Sequence, residues 1–429
     1  MINNNLLHVT LNRQGLLTRR NLLQLTGGGF AGMMGAGILR TLGLNAAEMK
    51  KQGRSCIMVF LRGAPSQMET WDPKPGTENG GPTQGIQTKI AGVQFAEFWP
   101  KLAALTNHIS VIRTIAGKEA AHERGEFHLR TGHRMGPTKF PHFGSVVAQR
   151  LGDPESDIPN FVSIGNTISS GFLGVKLAPF VIGTPGDLPA NVKSTVDARR
   201  FDRRLAALGQ QDNEFASLGA SYIAQEHQDL YHRAAKMMTS SRLKAFSLAG
   251  ESDATLQSYG NSAFGKSCLV ARRLVETGVP FVEIQRGGWD MHQDLWKNMP
   301  RTAGEVDGAV STLVTDLQER GLLEKTLVLV LGEFGRTPKI NQRTPTVGRD
   351  HWARNFNMLM AGGGIKGGVC VGKTSADGQE IEDRAVAVDD LFATMCECLH
   401  IDGSDEMITP EGRPIRIVDE GLAIRELLS

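Results

Sequence analysis

Ser55-Cys-Ile-Met-Val-Phe-Leu61 is an almost unbroken apolar run closed off by Gly53 on one side and Gly63 on the other. It is too short for a helix and does not alternate with polar positions. It therefore reads as a strand buried on both faces, the kind found in parallel sheets sandwiched between helices. Working outward, strand-like runs recur at 108–114, 160–164, 280–285, 326–331 and 356–361. Between them, amphipathic stretches at 99–105, 123–131, 143–151, 304–320 and 388–399 predict helices. Apolar strands alternating with amphipathic helices predict an α/β domain with a mainly parallel sheet covered on both sides. From 195 to 278 the pattern changes to helical periodicity with charged outer faces, at 201–208, 214–244 and 262–277, which implies a helical insertion or cap.

Ahead of this domain, Thr18-Arg-Arg-Asn-Leu-Leu23 sets Arg19 and Arg20 before an uncharged run from Asn21 to Leu39. That run is apolar but diluted by glycine, and small residues follow at Ala46 and Ala47. The combination reads as a twin-arginine export signal over residues 1–47. A membrane anchor is the competing reading, yet so many glycines, with Gln24 and Thr26, make poor hydrocarbon filler. The expected location is periplasmic or extracellular. The expected early partner is the twin-arginine export machinery, with membrane contact only through an uncleaved signal. Signals of this kind carry folded cargo, often cargo holding a metal or cofactor.

Residues 48–429 suffice for one large α/β domain. The net charge of +2, with no basic block, argues against nucleic acid as a partner. Five cysteines without Cys-x-x-Cys spacing argue against a zinc ribbon or a redox pair, and no haem or flavin motif supports an exported redox protein.

In sheets of this type, chemistry collects on loops beyond the carboxyl ends of the strands. Here those loops read Arg62-Gly-Ala-Pro-Ser-Gln-Met-Glu-Thr-Trp-Asp72, His122-Glu-Arg-Gly-Glu-Phe-His128 running on to His133, Gly287-Gly-Trp-Asp-Met-His292 and Gly332-Glu-Phe-Gly-Arg336. Gly348-Arg-Asp-His-Trp352 precedes the last strand. Imidazoles and carboxylates thus gather at one sheet edge, and His, Asp and Glu are the usual ligands of zinc, manganese or a similar divalent ion. Of the three histidines between 122 and 133, His122 sits nearest a strand end and is expected in the cleft. The other two are expected to be solvated or hydrogen-bonded.

Taken together, Gly63-Ala-Pro-Ser-Gln67, Trp71-Asp-Pro-Lys-Pro75, Gly288-Trp-Asp-Met-His292, Glu333-Phe-Gly-Arg-Thr-Pro338, Gly348-Arg-Asp-His-Trp352, Ala361-Gly-Gly-Gly-Ile-Lys-Gly-Gly368 and Gly412-Arg-Pro-Ile415 resemble domain-of-unknown-function family 1501, exported bacterial proteins with no established reaction. Their layout in turn resembles the alkaline phosphatase and sulfatase superfamily, which implies a three-layer sandwich. By that resemblance Leu129-Arg-Thr-Gly132 matches a turn near the nucleophile, Asp290 and His292 match an Asp…His pair, and His351 matches a final ligand. Asp290, His292 and His351 would then form one metal site with a position left open. Glu333 stands where an Asp-His-Gly ligand would be and is all that remains of a second site, with Glu69 or Asp72 as the residues that could help it.

The departures from that superfamily are as informative. Arg62 replaces the first aspartate, His122 stands at the nucleophile position, and Phe334 replaces a histidine ligand. The formylglycine signature is absent, and Ser66, the one loop hydroxyl in reach, reads as part of a turn. The expectation is a one-metal hydrolase of sulfate or phosphate esters, acting on an anionic small molecule or glycan. In it His122 or Glu333 serves as acid–base group, or His122 as direct nucleophile, and Arg62, Arg336 and Arg349 bind the oxyanion. The alternative is a non-catalytic anion- or glycan-binding protein on the same fold.

Overall fold

The run quoted first forms strand β1 (Ser55–Phe60), every residue of it buried. Its side chains divide by parity. Ile57, Val59 and Leu61 enter one hydrophobic core, while Cys56, Met58 and Phe60 enter a second on the opposite face. A strand with a full core on each side must lie in the middle of three layers. The computed structural model describes residues 53–190 and 192–429, and residues 54–429 form one unit.

Around β1 the sheet is built from β2 (Ile109–Ala116), β3 (Phe161–Ile164), β4 (Phe180–Ile182), β5 (Phe281–Gln285), β6 (Thr326–Leu331), β7 (Phe356–Ala361), β8 (Cys370–Val371) and β9 (Val386–Ala387). Its order is β8-β2-β7-β6-β1-β5-β3-β4, and β9 also pairs with β2. β1 runs parallel to β5 and β6, β3 parallel to β4 and β5, and β2 parallel to β8 and β9. Only β7 is reversed, antiparallel to β2 and β6. The fold is thus the expected mainly parallel α/β sandwich.

Helices α1 (His122–Thr131), α2 (Phe143–Leu151) and α7 (Val388–Cys398) contribute Leu129, Val147 and Leu391 to the core that holds Met58. Helices α5 (Ala263–Glu276) and α6 (Leu295–Glu319) contribute Leu269 and Val306 to the core that holds Val59. Of the helical stretch 195–278, α5 therefore belongs to the layer over the sheet, whereas α3 (Ala198–Phe215) and α4 (Ser221–Met238) pair with each other. The chain turns between those two at Gly219, whose φ of 98° suits glycine and few other residues.

Helix α6 begins well before the expected residue 304 and carries Pro300 inside it. An interior proline costs about 3 kcal/mol. Here Leu295, Met299 and Ala303 are all buried, and that burial offsets the lost hydrogen bond. No described helix is long and apolar enough to cross a membrane. The export signal read at 1–47 lies outside the described residues.

Candidate metal centre

Because β1, β2, β5 and β6 run in one direction, the loops that follow them open at one edge of the sheet. The single reversed strand, β7, brings the loop before it to the same edge. Three connections thereby deliver five side chains to one place: His122 after β2, Asp290 and His292 after β5, and Glu333 and His351 on the link between β6 and β7. Two glycines set how closely they meet. A Cβ on Gly63, whose φ is +108°, would lie 2.6 Å from the backbone nitrogen of Asp290. One on Gly348 would lie 2.2 Å from the Met291 carbonyl oxygen.

Asp290 is the hub. Its Oδ1 lies 3.1 Å from His292 Nε2 and 3.3 Å from His351 Nε2, and its Oδ2 lies 3.4 Å from His122 Nε2. The Nε2 atoms of His292 and His351 are 3.1 Å apart. Ligating atoms of His122, Asp290 and His351 all fall within 4.8 Å of one another. On the far side of each ring, Nδ1 meets an acceptor: Glu333 at 2.6 Å for His122, Asp350 at 2.7 Å for His292, and the Ala120 carbonyl at 2.8 Å for His351. A carbonyl or carboxylate can only accept, so each Nδ1 carries the hydrogen, and a ring without a second proton turns an Nε2 lone pair toward Asp290. Outer partners of this kind orient the histidines of metal sites.

The electrostatics of Asp290 and His351 agree with that reading, whereas His122 is shifted toward its protonated form. Burial works to raise the Asp290 carboxyl, but the hydrogen bond and charge of Arg336 outweigh it and hold the group at about 2. Burial pushes the His351 imidazole down, favouring its neutral form. The hydrogen bond to Glu333 raises His122. The Phe334 ring packs 5.0 Å from His122 and 4.7 Å from His351, centroid to centroid, and walls one side of the cluster.

Other anticipated residues take different places. Glu333 faces His122 Nδ1 and the Gly63 amide rather than the ligand cluster. Arg336 donates to the Gly63, Ala64 and Arg349 carbonyls as well as to Asp290, so its fork ties loops together and is not free for a substrate. Arg349 points away from the cluster. It is fully buried, paired through two nitrogens with Glu69, and spends its other donors on the carbonyls of Asn79, Thr337 and Pro338. That pairing also removes Glu69 from any second metal site. Asp72 is likewise taken, by Lys74, Arg113 and Thr374. Ser66 caps the turn at Met68. Only Arg62 remains open, 55 % exposed, with its Nε on Glu126 one turn along α1 from His122. His128 and His133 are buried at the other end of α1, away from the centre, and His133 Nδ1 faces Asp419 at 3.5 Å.

Asp350, the Ala120 carbonyl and Gln67 were not anticipated in supporting roles. Gln67 clasps the Arg336 backbone through both ends of its amide. The signal for Asp350 was present, since it is a carboxylate directly before a candidate ligand. Nothing in residue type marks a backbone carbonyl.

The sequence profile described as "Protein of unknown function (DUF1501)" matches residues 53–428. The chain belongs to the DUF1501 family. No curated protein matches this DUF1501 chain. Among solved structures it is similar to a sulfatase from Pseudoalteromonas sp., at 13 % identity over 83 % of this chain and 71 % of that one, with a TM-score of 0.38. It is similar to a lipoteichoic acid synthase from Listeria monocytogenes, at 11 % identity over 90 % and 81 %, with a TM-score of 0.38. A phosphonate monoester hydrolase from Silicibacter pomeroyi is similar at 11 % identity over 86 % and 75 %, with a TM-score of 0.36.

Proposed function

We propose that this DUF1501 chain is an exported hydrolase of sulfate or phosphate esters that works with one divalent cation, zinc or manganese. Asp290, His292 and His351 would hold the cation, and His122 would act beside it. The observation that carries this reading is the 3.1 Å approach of His292 Nε2 to His351 Nε2 next to the Asp290 carboxylate. In the tautomers selected by Asp350 and Ala120, two lone pairs and an anion face one another. That arrangement is repulsive until a cation is shared among them. Two imidazoles and a carboxylate suit zinc or manganese, and three protein ligands leave a position for substrate.

When bound, such an ion supplies Lewis acidity at an ester oxygen and acidifies a neighbouring water. The chain's own residues account for the rest. Arg62, steadied by Glu126, turns its remaining N–H groups toward solvent at the mouth, where they can grip a sulfate or phosphate group. His122 exchanges a proton through Nε2 while Glu333 keeps its ring in place. Phe334 keeps water from one flank.

The test is metal content by plasma mass spectrometry on purified wild type beside Asp290→Ala/His292→Ala, paired with turnover of aryl sulfates and phosphates. The expected result is about one equivalent of metal in the wild type, lost in the double variant, with turnover that follows it. In His122→Ala the metal should stay and turnover should fall. Full activity in His122→Ala removes that residue from the reaction. No metal after reconstitution, with anion binding but no turnover, establishes the non-catalytic binder instead.

A further inference from the structure

We propose a second ligand site, for an acidic sugar unit, at the end of α1 opposite His122; it does not rest on the hydrolase reading. A ten-residue helix spans about 15 Å, so the two places are well separated. At its C-terminal end opens a cavity of about 740 Å³, lined among others by His128, His133, Phe140, Asp389, Arg413 and Arg416. Clefts of roughly 300–1,000 Å³ are the size that takes small ligands.

The strongest pointer is His133. It is 8 % exposed, lines the cavity, and its Nε2 is buried without a hydrogen-bond partner among the described residues, while its Nδ1 lies 3.5 Å from Asp419. Buried polar side chains are nearly always hydrogen-bonded, and an exception this deep beside an open cavity needs a partner from outside. His128, 5 % exposed, lines the same cavity. Burial pushes both imidazoles down, so they are neutral and can each donate and accept.

The rest of the lining selects the ligand. Phe140, stacked on His133 with centroids 3.9 Å apart, supplies an apolar wall for the C–H face of a sugar ring. Arg413 and Arg416, exposed on the hairpin formed by Glu406–Ile408 and Pro414–Arg416, have no side-chain partner among the described residues. They offer planar forks for a sulfate or carboxylate substituent. Asp389 at the start of α7 accepts from hydroxyls. Paired imidazoles, an aromatic wall and two free guanidinium groups, beside the carboxylates of Asp389, Glu406, Asp419 and Glu420, fit a hydroxyl-rich ring with one anionic group. They do not fit an apolar ligand.

Isothermal titration of the whole mature protein with chondroitin sulfate, unsulfated chondroitin, alginate and neutral cellohexaose hexasaccharides tests this. The expected result is binding of an anionic hexasaccharide, weakened at least tenfold in Arg413→Ala/Arg416→Ala and in His128→Phe, and unchanged in Asp290→Ala. Binding of chondroitin sulfate with neither unsulfated chondroitin nor alginate identifies sulfate as the anionic group; binding of alginate or unsulfated chondroitin identifies a carboxylate. The arginine pair lies on an exposed hairpin, so that variant tests the site even if His128→Phe fails to fold. Binding of no anionic hexasaccharide overturns the proposal. So does equal binding of cellohexaose, or a loss confined to Asp290→Ala, which would put the sugar at the metal centre.

Discussion

Three arginines were candidates for gripping an anion, and their hydrogen bonds sort them into different trades. Arg349 has its donors satisfied inside the protein, with Glu69 as its buried counter-charge. Lysine has neither the fork nor the number of donors to replace it. Arg349→Lys should destabilise the fold by about 3–5 kcal/mol, the usual cost of leaving a buried carboxylate unpaired. Arg62 is the opposite case. Arg62→Ala should shift stability by no more than about 0.5 kcal/mol while raising KM for an anionic ester roughly tenfold, the value of one charge-assisted hydrogen bond. Urea unfolding beside steady-state kinetics separates the two; a KM untouched in Arg62→Ala would remove it from substrate binding. Glu333→Gln makes a subtler change, since the shape stays and the charge behind His122 goes. Activity should fall about 10–100-fold with metal content unchanged, as outer partners of functional histidines usually require. Loss of the metal in that variant would instead make His122 a ligand.

Among elements, legibility followed burial. β1 and β6 are buried along their whole length, so the apolar run marked them almost to the residue. β4, β8 and β9, at two or three residues each, are too short for any period to register and passed unnoticed. The stretches 201–208 and 214–244 read as two helices, but the first runs on to Phe215 as α3 and the chain breaks at Gly219 before α4 begins. At the centre, Asp290, His292, His351 and His122 were visible as residue types on strand-end loops. Arg336 and Arg349 were visible only as charges, and which way a charge faces depends on how closely two loops pack. Gly348 decides one such approach. A methyl group there meets the backbone at the Met291 carbonyl, and neither loop can yield without moving His292 or His351. Gly348→Ala should therefore cost about 2 kcal/mol or more and lower metal affinity together with stability. Thermal melting with and without added zinc reads both. A variant that melts early yet binds metal as wild type would mean that the loops reposition freely.

For the whole molecule, acid is the predicted weakness. His142 caps α2 by accepting the Gly144 amide on Nδ1, and its Nε2 lies 2.9 Å from Glu283, which also holds Arg130. Burial pushes His142 below its ordinary 6.5, as it does His128 and His133. A group held neutral in the fold takes up its proton on unfolding. Its contribution is therefore complete above about 6.5 and drains away as the pH falls below that value. Protonating His142 also removes the lone pair that holds the cap. Glu283 adds a second, lower window. Burial favours its neutral form, but Arg130, His142 and Thr167 outweigh that and hold it at about 2, below the ordinary 4.5. Its contribution, on the order of 3 kcal/mol, is lost as the pH drops from about 4.5 toward 2. His122, raised by Glu333, acts in the opposite sense, stabilising below 6.5 and losing that effect as the pH rises through its raised value. Five lowered imidazoles, those of His128, His133, His142, His351 and His400, against one raised one leave a net loss toward acid. The melting temperature should fall steadily between pH 7 and pH 5. In His142→Asn, which keeps a capping oxygen but cannot titrate, the protein should melt lower at pH 7.5 and show a shallower slope across that interval. Equal slopes in the two proteins would mean that the acid sensitivity resides elsewhere.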